Sequence, residues 1–311
     1  MLCNSPIEFI DTLYNNHIYI KREDKLPFSY GGNKVRFAEA FLADMKEKGK
    51  SAIIAYGSKS SNLCRVMAQM CFDNKIPCAV VYSGHEEENT YNSKIVSSLN
   101  VREYACDKTS VGETVQRAIN DFINDGFDPY YIYGNTKGEG NELTPANSYK
   151  AVFDEIREYE TEKNLTFDYI FLATGTAATY SGLLIRAKEL ESNKKIIGIS
   201  VARDKEKCTS VIKNNLASYF GTSDNAEINI TDEYLFGGYG NTCTEELKEI
   251  DFIYNNYGIP LDPTYTGKAF YGMSEYLKKN DINNKKILFI HTGGYPLFCD
   301  YKGLILFGET I

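Results

Sequence analysis

Lys34 follows two glycines in the run Gly31-Gly32-Asn33-Lys34, shortly after Lys21-Arg22-Glu23-Asp24. Glycine keeps the backbone thin, so a ligand can come close to the amine. Taken alone, this segment reads more simply as a turn lysine at the surface. A second segment, Gly57-Ser58-Lys59-Ser60-Ser61-Asn62, lies between a strand pattern and a helical one. Unpaired N–H groups at a helix start attract anions, and the hydroxyls add donors. An ordinary Ser/Asn helix cap is the other reading, and the two are compatible. The third segment is Thr174-Gly175-Thr176-Ala177-Ala178-Thr179, again between strand and helix. Its small residues let the backbone close on a phosphate, although a plain strand-to-helix turn explains them equally well. It lacks the GK[ST] ending of a nucleotide-triphosphate loop and the GxGxxG of a dinucleotide loop, so a lone monophosphate suits it better. The fourth is the pair Asp262-Pro263-Thr264-Tyr265-Thr266-Gly267-Lys268 and His291-Thr292-Gly293-Gly294-Tyr295-Pro296. Each reads as a turn, and Gly293-Gly294 at a strand end would admit a flat ring against the backbone.

These segments need elements to hold them. Apolar runs at 51–56, 78–82, 169–173, 195–201 and 286–290 lack polar alternation. Such runs suit parallel strands buried on both faces, with helices as crossovers. Helical spacing follows the first run, from Ser61 to about Asn74. The class is α/β, and ligands are expected at the carboxyl ends of the strands. All but the fourth run end in glycine-containing polar loops. No repeat or linker marks a domain boundary. The stretch 86–92 reads as a solvated loop and helix start.

Bulk properties narrow the function. The 311 residues suit two modest domains, and 43% hydrophobic with 24% charged residues is ordinary globular composition. A net charge of -8 argues against an extended nucleic-acid surface. No run reaches the roughly 20 apolar residues of a membrane helix. The start Met1-Leu2-Cys3-Asn4-Ser5-Pro6 lacks the regions of a signal peptide, so a cytoplasmic location is expected. Cys64, Cys71 and Cys78 are spaced by seven, but no CxxC pair accompanies them and His17, His85 and His291 are scattered. No metal site is expected, and the eight cysteines read as free, mostly buried thiols.

In chain order, KRED with GGNK, SSN before a helix, ATGTAAT, LDPTYTGKA and HTGG resemble the fold-type II pyridoxal-phosphate enzymes. The branch they resemble is the D-cysteine desulfhydrase and 1-aminocyclopropane-1-carboxylate deaminase family. The likeness runs from about Ile18 to about Tyr301. It implies a two-domain, three-layer α/β fold with parallel-rich sheets, similar to the tryptophan synthase beta-subunit-like fold. The large cofactor-binding domain would comprise 1–48 and 147–311, and the smaller inserted domain 49–146, with pyridoxal 5'-phosphate in the cleft. Lys34 matches the lysine that forms the Schiff base. Asn62 matches the asparagine on the cofactor's phenolic oxygen, and Ser61 a serine near the substrate's carboxylate and reacting carbon. Thr174, Gly175, Thr176, Ala177, Ala178 and Thr179 match the phosphate cradle, and Thr292 the segment facing the pyridine nitrogen. Tyr265 and, on a looser match, Tyr301 fall near active-site tyrosines.

The implied chemistry is loss of a β-substituent from a small amino acid, as in D-cysteine giving pyruvate and ammonia. A β-replacement synthase, a racemase, a ring-opening deaminase and a non-catalytic cofactor-binding protein are the competing readings. A homodimer is the family expectation. Two departures bear on the substrate. Leu63 stands where the family usually has histidine or glutamine, and Ser58-Lys59 where it is usually glycine-rich. Lys59 is read first as an exposed loop lysine and second as a ligand for an acidic substrate group.

Overall fold

The computed structural model describes residues 4–84, 89–223 and 226–303. Cys3, His85 and the acidic residues 86–88, on which the sequence reading touches, lie outside them. The strands in chain order are β1 (Ile7–Leu13), β2 (Asn16–Arg22), β3 (Ala52–Gly57), β4 (Cys78–Ser83), β5 (Arg102–Cys106), β6 (Pro129–Tyr131), β7 (Tyr169–Thr174), β8 (Lys195–Ser200), β9 (Asn229–Thr231) and β10 (Lys286–His291). The helices are α1 (Asn33–Glu47), α2 (Asn62–Asp73), α3 (Tyr91–Ser97), α4 (Val111–Asn124), α5 (Leu143–Ser148), α6 (Lys150–Lys163), α7 (Ala178–Glu189), α8 (Lys205–Phe220), α9 (Thr244–Tyr257), α10 (Thr266–Lys279) and α11 (Tyr295–Lys302).

The chain divides into two compact units. One holds the described residues up to Asn33 together with Ala146–Tyr301, and the other holds Lys34–Pro145 with Lys302 and Gly303. The division falls at Asn33, so the body of α1 goes with the smaller unit, whereas the sequence reading assigned residues up to 48 to the larger one.

The larger unit carries a six-stranded sheet in the order β1-β2-β10-β7-β8-β9. Its ladders are parallel except for β1 against β2. Ile170, Phe171, Leu172, Ile287, Leu288, Phe289 and Ile290 are all fully buried, which accounts for apolar runs without alternation. Ile18 and Ile20 join them, but β2 also buries Lys21 and Arg22. Those charges are satisfied: Lys21 Nζ donates to Ser5 O at 3.1 Å and to Glu155 Oε2 at 2.5 Å, and Arg22 grips Asp24 through Nε and Nη2. The smaller unit carries a parallel sheet in the order β5-β4-β3-β6. Its core gathers Ile54 and Val81 from the sheet with Val115, Ala118 and Phe122 of α4.

This topology places the chemistry. Strands β2, β10 and β7 are neighbours running in parallel, so the loops leaving their carboxyl ends adjoin. Those loops carry Asn33, Thr292 and the 174–179 turn. In the smaller sheet the loop after central β3 carries residues 58–61.

Helix α7, which opens at the 174–179 turn, is set by a backbone contact. A Cβ on Gly182 would come within 2.1 Å of Ala146 O and 2.7 Å of Tyr149 Cβ. We therefore expect Gly182→Ala to destabilise the protein by about 1–3 kcal/mol, since backbone cannot yield as a side-chain tip does. A thermal melt followed by circular dichroism checks this; an unchanged midpoint would mean that α7 does not seat against the start of this unit as closely as described.

Candidate active site

In the larger unit, the junction between β2 and α1 is threaded through the loop after β10. Asn33 N–H donates to Thr292 O at 3.0 Å. Gly32 and Gly293 both have φ of +98°, and a Cβ on Gly293 would lie 2.5 Å from Gly32 Cα. Side chains at either position would force the loops apart. Gly294, at φ +102°, leaves room for Asp262, whose Oδ2 would lie 2.2 Å from a Cβ there. The side-chain space missing at Gly293 and Gly294 is thus filled by the protein itself.

Asn33 makes a second bond, from Nδ2 to Thr179 Oγ1 at 3.0 Å. Thr292, Asn33 and Thr179 are therefore brought together. Thr179 belongs to the first turn of α7, whose N-cap is Ala177 in the left-handed region, at φ 70° and ψ -5°. Among the described residues no side chain caps this helix. Alanine has no oxygen to offer, so the leading N–H groups of α7 stay available to an anion. Thr176 is exposed and Gly175 half-buried at the mouth of the turn. Thr174 is buried, with Oγ1 facing Gly198 and no hydrogen-bond partner among the described residues. Its hydroxyl lies on the β8 side of the turn.

Asp262 organises the 262–268 segment. Oδ1 accepts from Thr264 N at 3.0 Å and Tyr265 N at 2.8 Å, and Oδ2 from Thr266 N at 3.1 Å and Thr266 Oγ1 at 2.7 Å. Burial pushes this carboxyl up from its ordinary value, against those hydrogen bonds. The turn presents Tyr265, whose hydroxyl meets that of Tyr239 at 2.5 Å. The sequence reading missed Tyr239. Its signal was an aromatic set among glycines, Gly237-Gly238-Tyr239-Gly240. Buried Lys268 pins this loop from beneath, with Nζ 3.4 Å from Leu235 O and 3.3 Å from Gly238 O. Nearby Glu246 is fully buried with both carboxylate oxygens unpartnered among the described residues, and burial pushes it up to about 8. Tyr301 donates instead to Asp251 Oδ1 of α9 at 3.0 Å, and burial with that carboxylate pushes its phenol up to about 12.

In the smaller unit, Lys34 keeps some exposed surface, yet desolvation pushes its amine down to about 8. Its Nζ lies 4.4 Å from the centre of the Phe37 ring. Ser61 is the N-cap of α2, and its Oγ accepts from Leu63 N at 3.2 Å and Cys64 N at 3.3 Å. The capping reading holds, and it takes up two of the N–H groups that an anion would use. Gly57 permits this cap, because a Cβ there would meet Ser61 Oγ at 2.7 Å. Lys59 is half-buried, with Nζ 5.4 Å from the Tyr82 ring centre. Leu63 is buried. Asn62 Oδ1 accepts from Asn92 Nδ2 at 3.0 Å. Asn92 is fully buried, although the sequence reading placed it at the end of a solvated stretch.

Comparison with known proteins supplies the family. The profile described as "Pyridoxal-phosphate dependent enzyme" matches residues 3–293. D-cysteine desulfhydrase of Yersinia enterocolitica is 30% identical over 312 residues, spanning 96% of this chain and 93% of that protein. D-cysteine desulfhydrase of Salmonella typhi is 27% identical, spanning 96% and 93%. A crystal structure titled as an ACC deaminase homologue superposes with a TM-score of 0.84 at 28% identity, covering 97% of this chain and 92% of that one. O-ureido-L-serine synthase shares the fold, with a TM-score of 0.71 at 12% identity over 98% and 95% of the two chains.

The residues present fit pyridoxal phosphate. The uncapped α7 start, with Thr176 and Thr179, would hold a phosphate monoester. The lowered Lys34 amine would bond the aldehyde carbon. Only the neutral amine attacks an aldehyde, so cofactor uptake by the apoprotein should speed up with rising pH and level off once the pH passes about 8. Stopped-flow absorbance after mixing with pyridoxal phosphate measures this; a rate still climbing toward 10.5, the ordinary lysine value, would show that Lys34 is not desolvated.

Proposed function

This chain belongs to the pyridoxal-phosphate-dependent enzymes, and we propose that it is a lyase or deaminase that expels a β-substituent from a small, D-cysteine-like amino acid, releasing pyruvate and ammonia. The observation that carries the reading is the desolvated Lys34 amine directly after Asn33, the residue bonded to Thr179 of the phosphate turn. The desulfhydrase names of the Yersinia and Salmonella relatives support a sulfur leaving group.

When bound, pyridoxal phosphate takes up the electron pair left at the substrate's α-carbon. The protein supplies the rest. Lys34 Nζ, half neutral near pH 8, accepts the α-proton. Ser61 Oγ accepts from its helix but keeps its own proton, which it donates to the substrate carboxylate. That contact would orient the substrate for loss of its α-proton to Lys34. Asn62 would donate to the phenolic oxygen of the bound cofactor, and the α7 N–H groups would hold its phosphate. Thr292, a neutral group, would stand by its pyridine nitrogen, which would favour elimination over transamination. The leaving sulfur needs a proton, and Tyr265 with Tyr239 forms a hydroxyl pair from which one can be handed over as the other replenishes it. The proposal gives this role to that pair, and leaves Tyr301 to Asp251.

The proposal extends to a homodimer in the cytoplasm, with residues 49–146 forming the body of the small domain. Free thiols at Cys64, Cys71, Cys78, Cys106, Cys208, Cys243 and Cys299 support a reducing compartment. Among the described residues no helix is long and apolar enough to cross a membrane.

The test is absorbance from the near ultraviolet to about 500 nm, recorded with D- and L-amino acids while pyruvate is assayed. We expect a band that shifts with D-cysteine and stoichiometric pyruvate. Lys34→Ala should lose the band and turnover by orders of magnitude. Full turnover in that variant sinks the assignment, and a shifted band with α-hydrogen exchange but no pyruvate would make the protein a racemase.

A further inference from the structure

Arg65 and Asn92 lie within the same unit as Asn62, and both are fully buried. A buried arginine off the surface of a small sheet domain calls for a reason. Its Nε donates to Asn92 Oδ1 at 2.7 Å. An arginine can only donate, so this bond fixes which end of the Asn92 amide is oxygen. The other end is Nδ2, which donates to Ser60 O at 2.7 Å and to Asn62 Oδ1 at 3.0 Å. The same logic passes one step on. Asn62 must turn its oxygen to Asn92, which leaves its Nδ2, a donor, at the end away from Asn92. Asn92 itself is held by the start of α3, where Thr90 and Ser93 form a reciprocal capping box around it.

We propose that Asn92, oriented by Arg65, is a positioning residue that sets the polarity of Asn62. Without it the Asn62 amide has two nearly isosteric orientations, one offering a donor and the other an acceptor. A ring oxygen bearing negative charge is stabilised by the first and repelled by the second. Arg65 breaks that symmetry from two side chains away. The inference rests on the proposed contact between Asn62 and the phenolic oxygen.

Asn92→Asp tests it with little change of shape. Aspartate still accepts from Arg65 but cannot donate to Asn62, so the Asn62 amide should rotate to donate toward position 92. Its oxygen would then face the ring. The readouts are the absorbance maximum of the bound cofactor and the pH at which that band titrates, beside kcat. We expect Asn92→Asp to resemble Asn62→Asp, since both present an acceptor to the ring, with kcat down about tenfold to hundredfold. Asn92→Ala, which releases the Asn62 amide and gives up the bonds to Arg65 and Ser60 O, should shift the titration less in the same direction, and it decides the matter if Asn92→Asp does not fold. A wild-type band and titration in both position-92 variants, while Asn62→Asp and Asn62→Ala are altered, overturns the positioning role and leaves the proposed function standing. Wild-type spectra in all four variants overturn the Asn62 contact itself, and this inference with it.

Discussion

The backbone hydrogen bond from Asn33 to Thr292 is the constraint on which the larger unit's site depends. It forms because three glycines, Gly31, Gly32 and Gly293, adopt left-handed φ and stack backbone on backbone. A single side chain at this crossing would separate the strand ends. Holding the crossing shut fixes Asn33, and Asn33 in turn reaches Thr179 and steadies the turn that opens α7. Position along the chain is thereby converted into position in space for three loops that leave neighbouring strands.

Lys21 and Lys34 show how differently this fold treats the same charge. Lys21 is surrounded by acceptors and ends on Glu155 and Ser5 O. Its burial is compensated, and it ties the amino-terminal segment to α6. Lys34 is desolvated with no acceptor among the described residues offsetting the loss, which lowers its amine to about 8. The first arrangement builds structure. The second would suit a nucleophile, because a lysine whose amine is lowered to about 8 keeps a lone pair on a larger share of molecules.

Much of this was legible in the sequence for a physical reason. Strands buried on both faces must be apolar throughout, and β3, β4, β7, β8 and β10 were read to within about a residue or two at their ends. The α/β class followed. Strand β2 hid because it buries Lys21 and Arg22, whose acidic partners no window of residues reveals; β6 and β9 have three residues each. At the site, the 57–62 segment with its Ser/Asn cap was read from local pattern, as was the 174–179 turn before α7; the roles of Asn62 and of that turn came from the family resemblance. Asn92 and Tyr239 were not, because what marks them is a partner: Asn62, 30 residues away, and Tyr265, 26 away. The Gly293-Gly294 pair was noticed for its absence of bulk, and what its missing side chains admit is Gly32 and Asp262, neither of which the local sequence names.

Ala177 has one more consequence. An alanine held at φ 70° carries about 1–2 kcal/mol of conformational penalty that glycine would avoid. A glycine there would leave the turn wandering among several shapes, each arriving phosphate having to select one. With alanine, the selection is made when the chain folds. The entropy of ordering the turn is met in folding rather than in ligand capture, so the affinity of a phosphate held there would be set by a shape that exists before the phosphate arrives.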